Sequence, residues 1–129
     1  MADLLLDTTV LIDVLRGRRA AERLRRLRGE GPPPYICAVN AEEVWRGAKP
    51  GEEDGVARLL GALRVAPLGT EEGERAGRWR SEFSAAGTTL SQADCLVAAA
   101  SIGVGARLAT GNPRHFPMQE LVVEHWPVG

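Results

Sequence analysis

Three acidic residues and one amide, Asp7, Glu43, Asp94 and Asn112, stand where short apolar runs give way to helices or turns. Asp7 ends the run Leu4-Leu5-Leu6. Asn40 and Glu43 follow the strand-like stretch beginning at Tyr35. Asp94 falls in the first turn of a helix opened by Ser91, and Asn112 follows a strand ending at Thr110. In an open parallel sheet these are positions beyond the C-terminal strand ends, where ligands gather. Three carboxylates converging at about 5 Å would repel by roughly 3 kcal/mol per pair at an effective dielectric near 20. Three such pairs are a large share of a domain's net stability of about 5–15 kcal/mol, and helix N-termini offset only part of it. A cluster of this kind takes up protons or binds a cation. Its all-oxygen donors suit Mg²⁺, with Mn²⁺ as a substitute, and not zinc. Such an ion lowers the pKa of a bound water and neutralises a phosphodiester, so metal-dependent phosphodiester hydrolysis is the chemistry implied.

Taken singly, each residue also has a local explanation. Asn-Ala-Glu-Glu and Ser-Gln-Ala-Asp both match the capping-box pattern, in which an acid three residues after the cap reaches back to the cap amide. Asp7 fits an ordinary strand-to-helix turn with Thr8 or Thr9 as a cap, and Asn112 before Pro113 fits a turn start.

The elements that must position these residues alternate along the chain. After the strand Leu4–Leu6, the spacing of Val10, Leu11, Val14 and Leu15 marks one helical face closed by Gly17. A second helix carries Ala20, Leu24 and Leu27 inward. Gly31–Pro34 breaks the chain before the Tyr35 strand, and Asn40 opens a helix to about Ala48. A helix fits Glu52–Leu63 and a strand Arg64–Leu68. Thr70 caps a long helix to about Ala86, and Ser91 caps the next. Strands at Ala106–Thr110 and Leu121–Glu124, the latter at an edge, complete a three-layer α/β/α domain spanning residues 1–129 with a mainly parallel five-stranded sheet.

Composition bounds the alternatives. With 129 residues and 44% hydrophobic content the chain has the size and apolar surface for one folded domain. Asp3, Asp7 and Asp13 replace the basic region of a signal peptide, and no stretch is long and apolar enough to span a bilayer. Cys37 and Cys95 are far apart without metal or disulfide spacing, so two buried thiols in a cytoplasmic protein are expected. The net charge of −1 conceals a skew: seven arginines and one acid lie between Val14 and Arg28, giving +6 there and −7 in the remainder. Most such residues form a solvated helix face, but a guanidinium patch next to Asp7 also suits RNA phosphates or an acidic partner segment. Trp45, Trp79 and Trp126 are expected to be buried in the core or a dimer interface and not to stack bases.

Four stretches, LLLDTTVLIDVLRG, NAEEVWRGA, LSQADCLVAAAS and LATGNPRHF, resemble in order and spacing the PIN-domain ribonucleases of the VapC toxin type. The resemblance spans about residues 4–116. It implies a sheet order of 3-2-1-4-5 and a Mg²⁺-dependent endoribonuclease acting on RNA. It further implies inhibition by a cognate antitoxin and a homodimer. By position, Asp7, Glu43 and Asp94 match the family's three acids, and Asn112 stands where a fourth acid is common. Asp7 and Asp94 would hold the metal. Glu43 would orient or deprotonate water, and Asn112 with Thr110 would support them. His115 could serve as a general acid near the site but is left outside this set, as a partly buried neighbour of Phe116.

Rival chemistries lack their residues. A haloacid-dehalogenase phosphatase needs an Asp where Thr9 stands, a receiver domain needs a late lysine, and the only lysine is Lys49 beside Pro50. No phosphate-binding P-loop is present, and the glycines of IGVGARLA precede a strand instead of opening a helix. A PIN-like scaffold that binds RNA or protein without cutting is the alternative, because Asn112 removes one negative charge from the site.

Overall fold

A computed structural model describes residues 3–129. The strands are β1 (Leu4–Leu6), β2 (Tyr35–Ile36), β3 (Arg64–Val65), β4 (Arg107–Thr110) and β5 (Val123–His125). The helices are α1 (Thr8–Leu15), α2 (Arg19–Leu27), α3 (Ala38–Arg46), α4 (Glu53–Gly61), α5 (Thr70–Ala85) and α6 (Gln92–Gly103), with a 3₁₀ turn at Pro113–His115. The sheet order is β3-β2-β1-β4-β5, and every pairing is parallel. Among the described residues no helix is long and apolar enough to cross a membrane.

Side chains alternate across a strand, and β1 shows what that achieves. Leu5 packs with Leu108 and the buried face of α6, while Leu6 packs with Ile36, Ala109 and the inner faces of α1 to α4. Registers Leu5↔Leu108 and Leu6↔Ala109 place like-facing residues side by side. The sheet is therefore apolar on both faces, as a parallel sheet between helix layers requires. Helix α6 is buried through Cys95, Val97, Ala98, Ala99 and Ala100, small residues that let it lie close to the sheet and to α5.

Loop chemistry turns the chain where the site needs it. At the end of α1, Gly17 adopts φ +66°, its N–H donates to the Val14 carbonyl at 3.0 Å, and Arg18 N–H donates to the Asp13 carbonyl at 3.0 Å. This left-handed cap satisfies the last carbonyls of α1 and sends the chain directly into α2.

Several boundaries differ from the sequence expectation. Helix α3 begins at Ala38, not Asn40. Cys37 is the cap residue, and Asn40 reaches back to accept the Cys37 N–H through Oδ1 at 2.9 Å. Gly69, not Thr70, caps α5, and Glu72 Oε1 accepts its N–H at 2.7 Å. β3 stops at Val65, short of Leu68, and β5 is displaced to Val123–His125, where its register with Leu108–Thr110 is fixed.

Candidate active site

The parallel register brings the C-terminal ends of β1 and β4 together. Asp7 follows β1, and its N–H donates to the Ala109 carbonyl at 2.9 Å, so its position is set by the sheet itself. The carboxylate is buried. Its Oδ2 accepts two hydroxyl hydrogen bonds, from Thr110 at 2.8 Å and from Thr9 at 3.1 Å. Burial raises the Asp7 carboxyl above its ordinary range. The Thr110 hydroxyl, the Thr8 backbone and the Thr9 hydroxyl oppose that rise, and the nearby Asp94 charge adds to it. Among the described residues no lysine or arginine forms an ion pair with the Asp7 carboxylate.

Glu43 lies one turn inside α3, too far along for the capping role its sequence pattern suggests. Its Oε1 accepts the Thr8 hydroxyl at 2.6 Å, which ties α3 to the start of α1. Asp94 sits in the first turn of α6, where Ser91 Oγ accepts its N–H at 3.0 Å. The Ser91 cap is as expected, and the Asp94 carboxylate is directed instead to His115, whose Nδ1 lies 3.6 Å from Oδ2. Asn112 is exposed. Its N–H donates to Thr110 Oγ1 at 3.0 Å, so the same threonine connects it to Asp7.

A family model for the PIN domain matches residues 4–119. The chain belongs to the PIN domain family. It is 34% identical over 116 residues to a ribonuclease VapC19 of Mycobacterium tuberculosis, covering 88% of this chain and 92% of that protein. Its fold is similar to that in the VapBC2 complex of Rickettsia felis bound to a promoter DNA fragment, with TM-score 0.83 and 19% identity over 95% of this chain and 98% of that one. It is also similar to that in a toxin–antitoxin complex from Klebsiella pneumoniae, with TM-score 0.76 and 26% identity over 94% and 97% of the two chains.

In this PIN domain the Asp94 charge adds to the rise in the Asp7 pKa, and Glu43 is tied through Thr8 to the residue next to Asp7. Among the described residues no group of three or more His, Cys, Asp or Glu side chains gathers closely enough to enclose a metal ion. The tight three-carboxylate cluster considered from the sequence is not formed. The donor set still fits a hard ion of the Mg²⁺ class, which is commonly held by one or two carboxylates and keeps most of its waters. A buried carboxylate with hydroxyl and backbone donors, its pKa raised by burial and to a lesser degree by the Asp94 charge, takes up a proton or a cation.

Other side chains that looked reactive are set apart. Burial pushes the Cys37 and Cys95 thiols up, which keeps both inert. Trp79 and Trp126 are buried as expected, whereas Trp45 is 44% exposed on α3. His115, expected to be partly buried against Phe116, is instead exposed and faces Asp94. Sequence distance conceals that contact, since residues 94 and 115 meet only because β4 and the 3₁₀ turn return the chain to the head of α6. The arginine hairpin is partly spoken for: Arg16 pairs with Glu52, Arg23 with Glu124, and Arg25 and Arg26 with Glu22. Arg18, Arg19 and Arg28 make no ion pair among the described residues and are exposed.

Proposed function

We propose that this PIN domain is a Mg²⁺-dependent endoribonuclease, with Mn²⁺ able to substitute, and the toxin of a VapBC-type pair in the cytoplasm. The observation that carries the reading is Asp7. It is a buried carboxylate fixed by the sheet and held by hydroxyls, with no ion pair to a cationic side chain among the described residues and with the Asp94 charge near enough to raise its pKa. The 34% identity to a ribonuclease VapC19 over most of the chain supports the same conclusion.

In this reading Asp7 and Asp94 hold the metal, which supplies a more acidic water and charge neutralisation at the scissile phosphate. Thr9 and Thr110 fix the Asp7 carboxylate so that its lone pairs do not reorganise during the reaction. Glu43 orients the attacking water or takes its proton. Asn112 lacks the charge of an acid at that position but still presents an amide oxygen and N–H₂ group to water or substrate. The second reading, a scaffold that binds RNA or protein without cutting, rests on that same Asn112.

The partner surface lies at the other end of the sheet. An apolar groove of about 1030 Å³ runs between α2, α4 and the Pro32–Pro34 segment, with Leu24, Leu27, Leu59 and Leu63 among its walls and Arg28, Arg58 and Arg107 among its lining residues. Apolar walls with arginines suit an amphipathic, acidic segment of an antitoxin, in line with the toxin–antitoxin complexes that share this fold. The protein itself is read as a homodimer. The metal assignment is tested by a crystal soaked in Mn²⁺. Anomalous density between Asp7 and Asp94 is expected, and its absence at a concentration that supports cleavage refutes the assignment.

A further inference from the structure

Asn40 is completely buried, and all its hydrogen-bonding capacity that the fold uses runs in one direction. Its Oδ1 accepts the Cys37 N–H at 2.9 Å and faces Cys37 Sγ at 3.2 Å. Because a backbone N–H can only donate, the amide cannot be turned the other way without leaving that donor unsatisfied. The Nδ2 group must then point to Thr8, and it donates to Thr8 Oγ1 at 3.2 Å. Thr8 Oγ1 accepts there and donates its own proton to Glu43 Oε1 at 2.6 Å, since a carboxylate can only accept. The chain of donors therefore starts at the backbone of the β2–α3 junction and ends on the Glu43 carboxylate.

We propose that Asn40 and Thr8 are positioning residues for Glu43, a buried relay that locks one carboxylate oxygen so that the other is held in a fixed direction. The proposal rests on the nuclease reading for its catalytic consequence, but not for its geometry. Glu43 belongs to a long side chain with three rotatable bonds at a half-buried position, and nothing else among the hydrogen bonds of the described residues fixes it. A group that must meet a water and a phosphate in line gains from this restraint, since a misplacement of about 1 Å costs on the order of 100-fold in rate. The relay also explains why a polar side chain occupies a fully buried site in the first turn of α3: both its oxygen and its nitrogen have a hydrogen-bond partner. It joins α1 and α3, the two helices whose relative placement sets the distance from Asp7 to Glu43.

The test uses the full chain in four variants: Thr8→Val, Thr8→Ser, Asn40→Asp and the double variant Thr8→Val/Asn40→Asp. Asn40→Asp keeps the acceptor for the Cys37 N–H and removes the donor to Thr8. Cleavage of an RNA substrate should show kcat lowered about 10- to 100-fold in Thr8→Val and Asn40→Asp with KM unchanged. Thr8→Ser should restore kcat, and the double variant should be no worse than its more impaired parent, because one broken link is equivalent to two. Wild-type kcat in either single variant, or effects that multiply in the double variant, overturns the relay. A second readout is independent of activity: Thr8→Val should shift the Asn40 side-chain amide resonances and the Glu43 carboxyl carbon resonance while the fold's other amide signals persist. Unchanged resonances overturn the relay even in a folded variant. If wild-type protein cleaves no RNA, the nuclease reading fails, and the resonance experiment alone decides the relay.

Discussion

Gly111 lies between Thr110 and Asn112, and the space around it predicts a coupled pair of substitutions. A Cβ at this position would stand 2.9 Å from Val128 Cγ2, 3.1 Å from Val128 Cγ1 and 3.4 Å from Thr9 Oγ1. The first two contacts are too close for Val128 to stay where it is, and although its side chain is exposed, the main chain on either side of it is held. Its neighbour Gly129 donates its N–H to Asp13 Oδ1 at 2.9 Å, and Trp126 is buried beneath the Arg23 guanidinium, 4.4 Å from its ring centroid. Gly111→Ala should therefore behave as an overpacked site and cost about 1–3 kcal/mol. For a domain of this size that is a fall in Tm of roughly 4–12 °C. Gly111 does not have positive φ, so alanine itself brings no backbone strain. In a Val128→Ala background, which removes both offending methyls, Gly111→Ala should be neutral or stabilising by about 0.4–1 kcal/mol through the unfolded state. The assay is urea unfolding of the four proteins in a double-mutant cycle, with cleavage measured in parallel, since Gly111 N–H donates to Thr9 Oγ1 at 3.0 Å beside Asp7. A Gly111→Ala protein as stable as wild type, or a cost that persists in full after Val128→Ala, refutes the steric argument.

Three further outcomes follow from the same contacts. Asp13 is a buried carboxylate whose Oδ2 accepts Ala20 N–H at 2.7 Å and whose Oδ1 accepts Gly129 N–H at 2.9 Å; Asp13→Ala should lower stability by about 2–4 kcal/mol in urea unfolding, and a loss below 1 kcal/mol counts against that clamp. Ser91→Ala should cost about 1 kcal/mol by removing the α6 cap at Asp94 N–H, read as a Tm shift without change in RNA affinity. Because burial raises the folded-state pKa of Asp7, the folded protein binds that proton more tightly than the unfolded chain, whose value is about 3.9. In metal-free buffer, the contribution of Asp7 to stability is greatest below the unfolded value, falls as pH rises through the folded one, and levels off above it. Asp7→Asn should remove this slope, so that its stability relative to wild type grows with pH across that window; a pH-independent difference contradicts the burial argument.

Much of this was legible in the chain because it depends on local order. The abrupt end of Leu4–Leu6 at Asp7, the apolar alternation that buries both sheet faces, and the Ser91 cap are all set within a few residues. The start of α3 was not, because a side chain reaching back from the third helical position is written in the same letters as one reaching forward from a cap. That single shift turned Glu43 from a capping acid into a residue held by Thr8. The stacking of Arg23 on Trp126, the packing of Val128 on Gly111, and the approach of His115 to Asp94 were also hidden. They join segments far apart in sequence, and no periodicity or composition encodes which partner the sheet register will bring together. The arginine hairpin shows the reverse case: its excess charge was plain, but only the fold shows that four of its arginines are paired with acids of α2, the α4 cap and β5.

The most direct test of the nuclease reading compares RNA cleavage by wild-type protein and Asp7→Asn, both purified free of any antitoxin through the same procedure and supplied with Mg²⁺ or Mn²⁺. Metal-dependent cleavage by wild type, abolished by chelation and reduced at least about 100-fold in Asp7→Asn, is the expected result. Equal cleavage by the two proteins, or none by wild type with either ion, would contradict it.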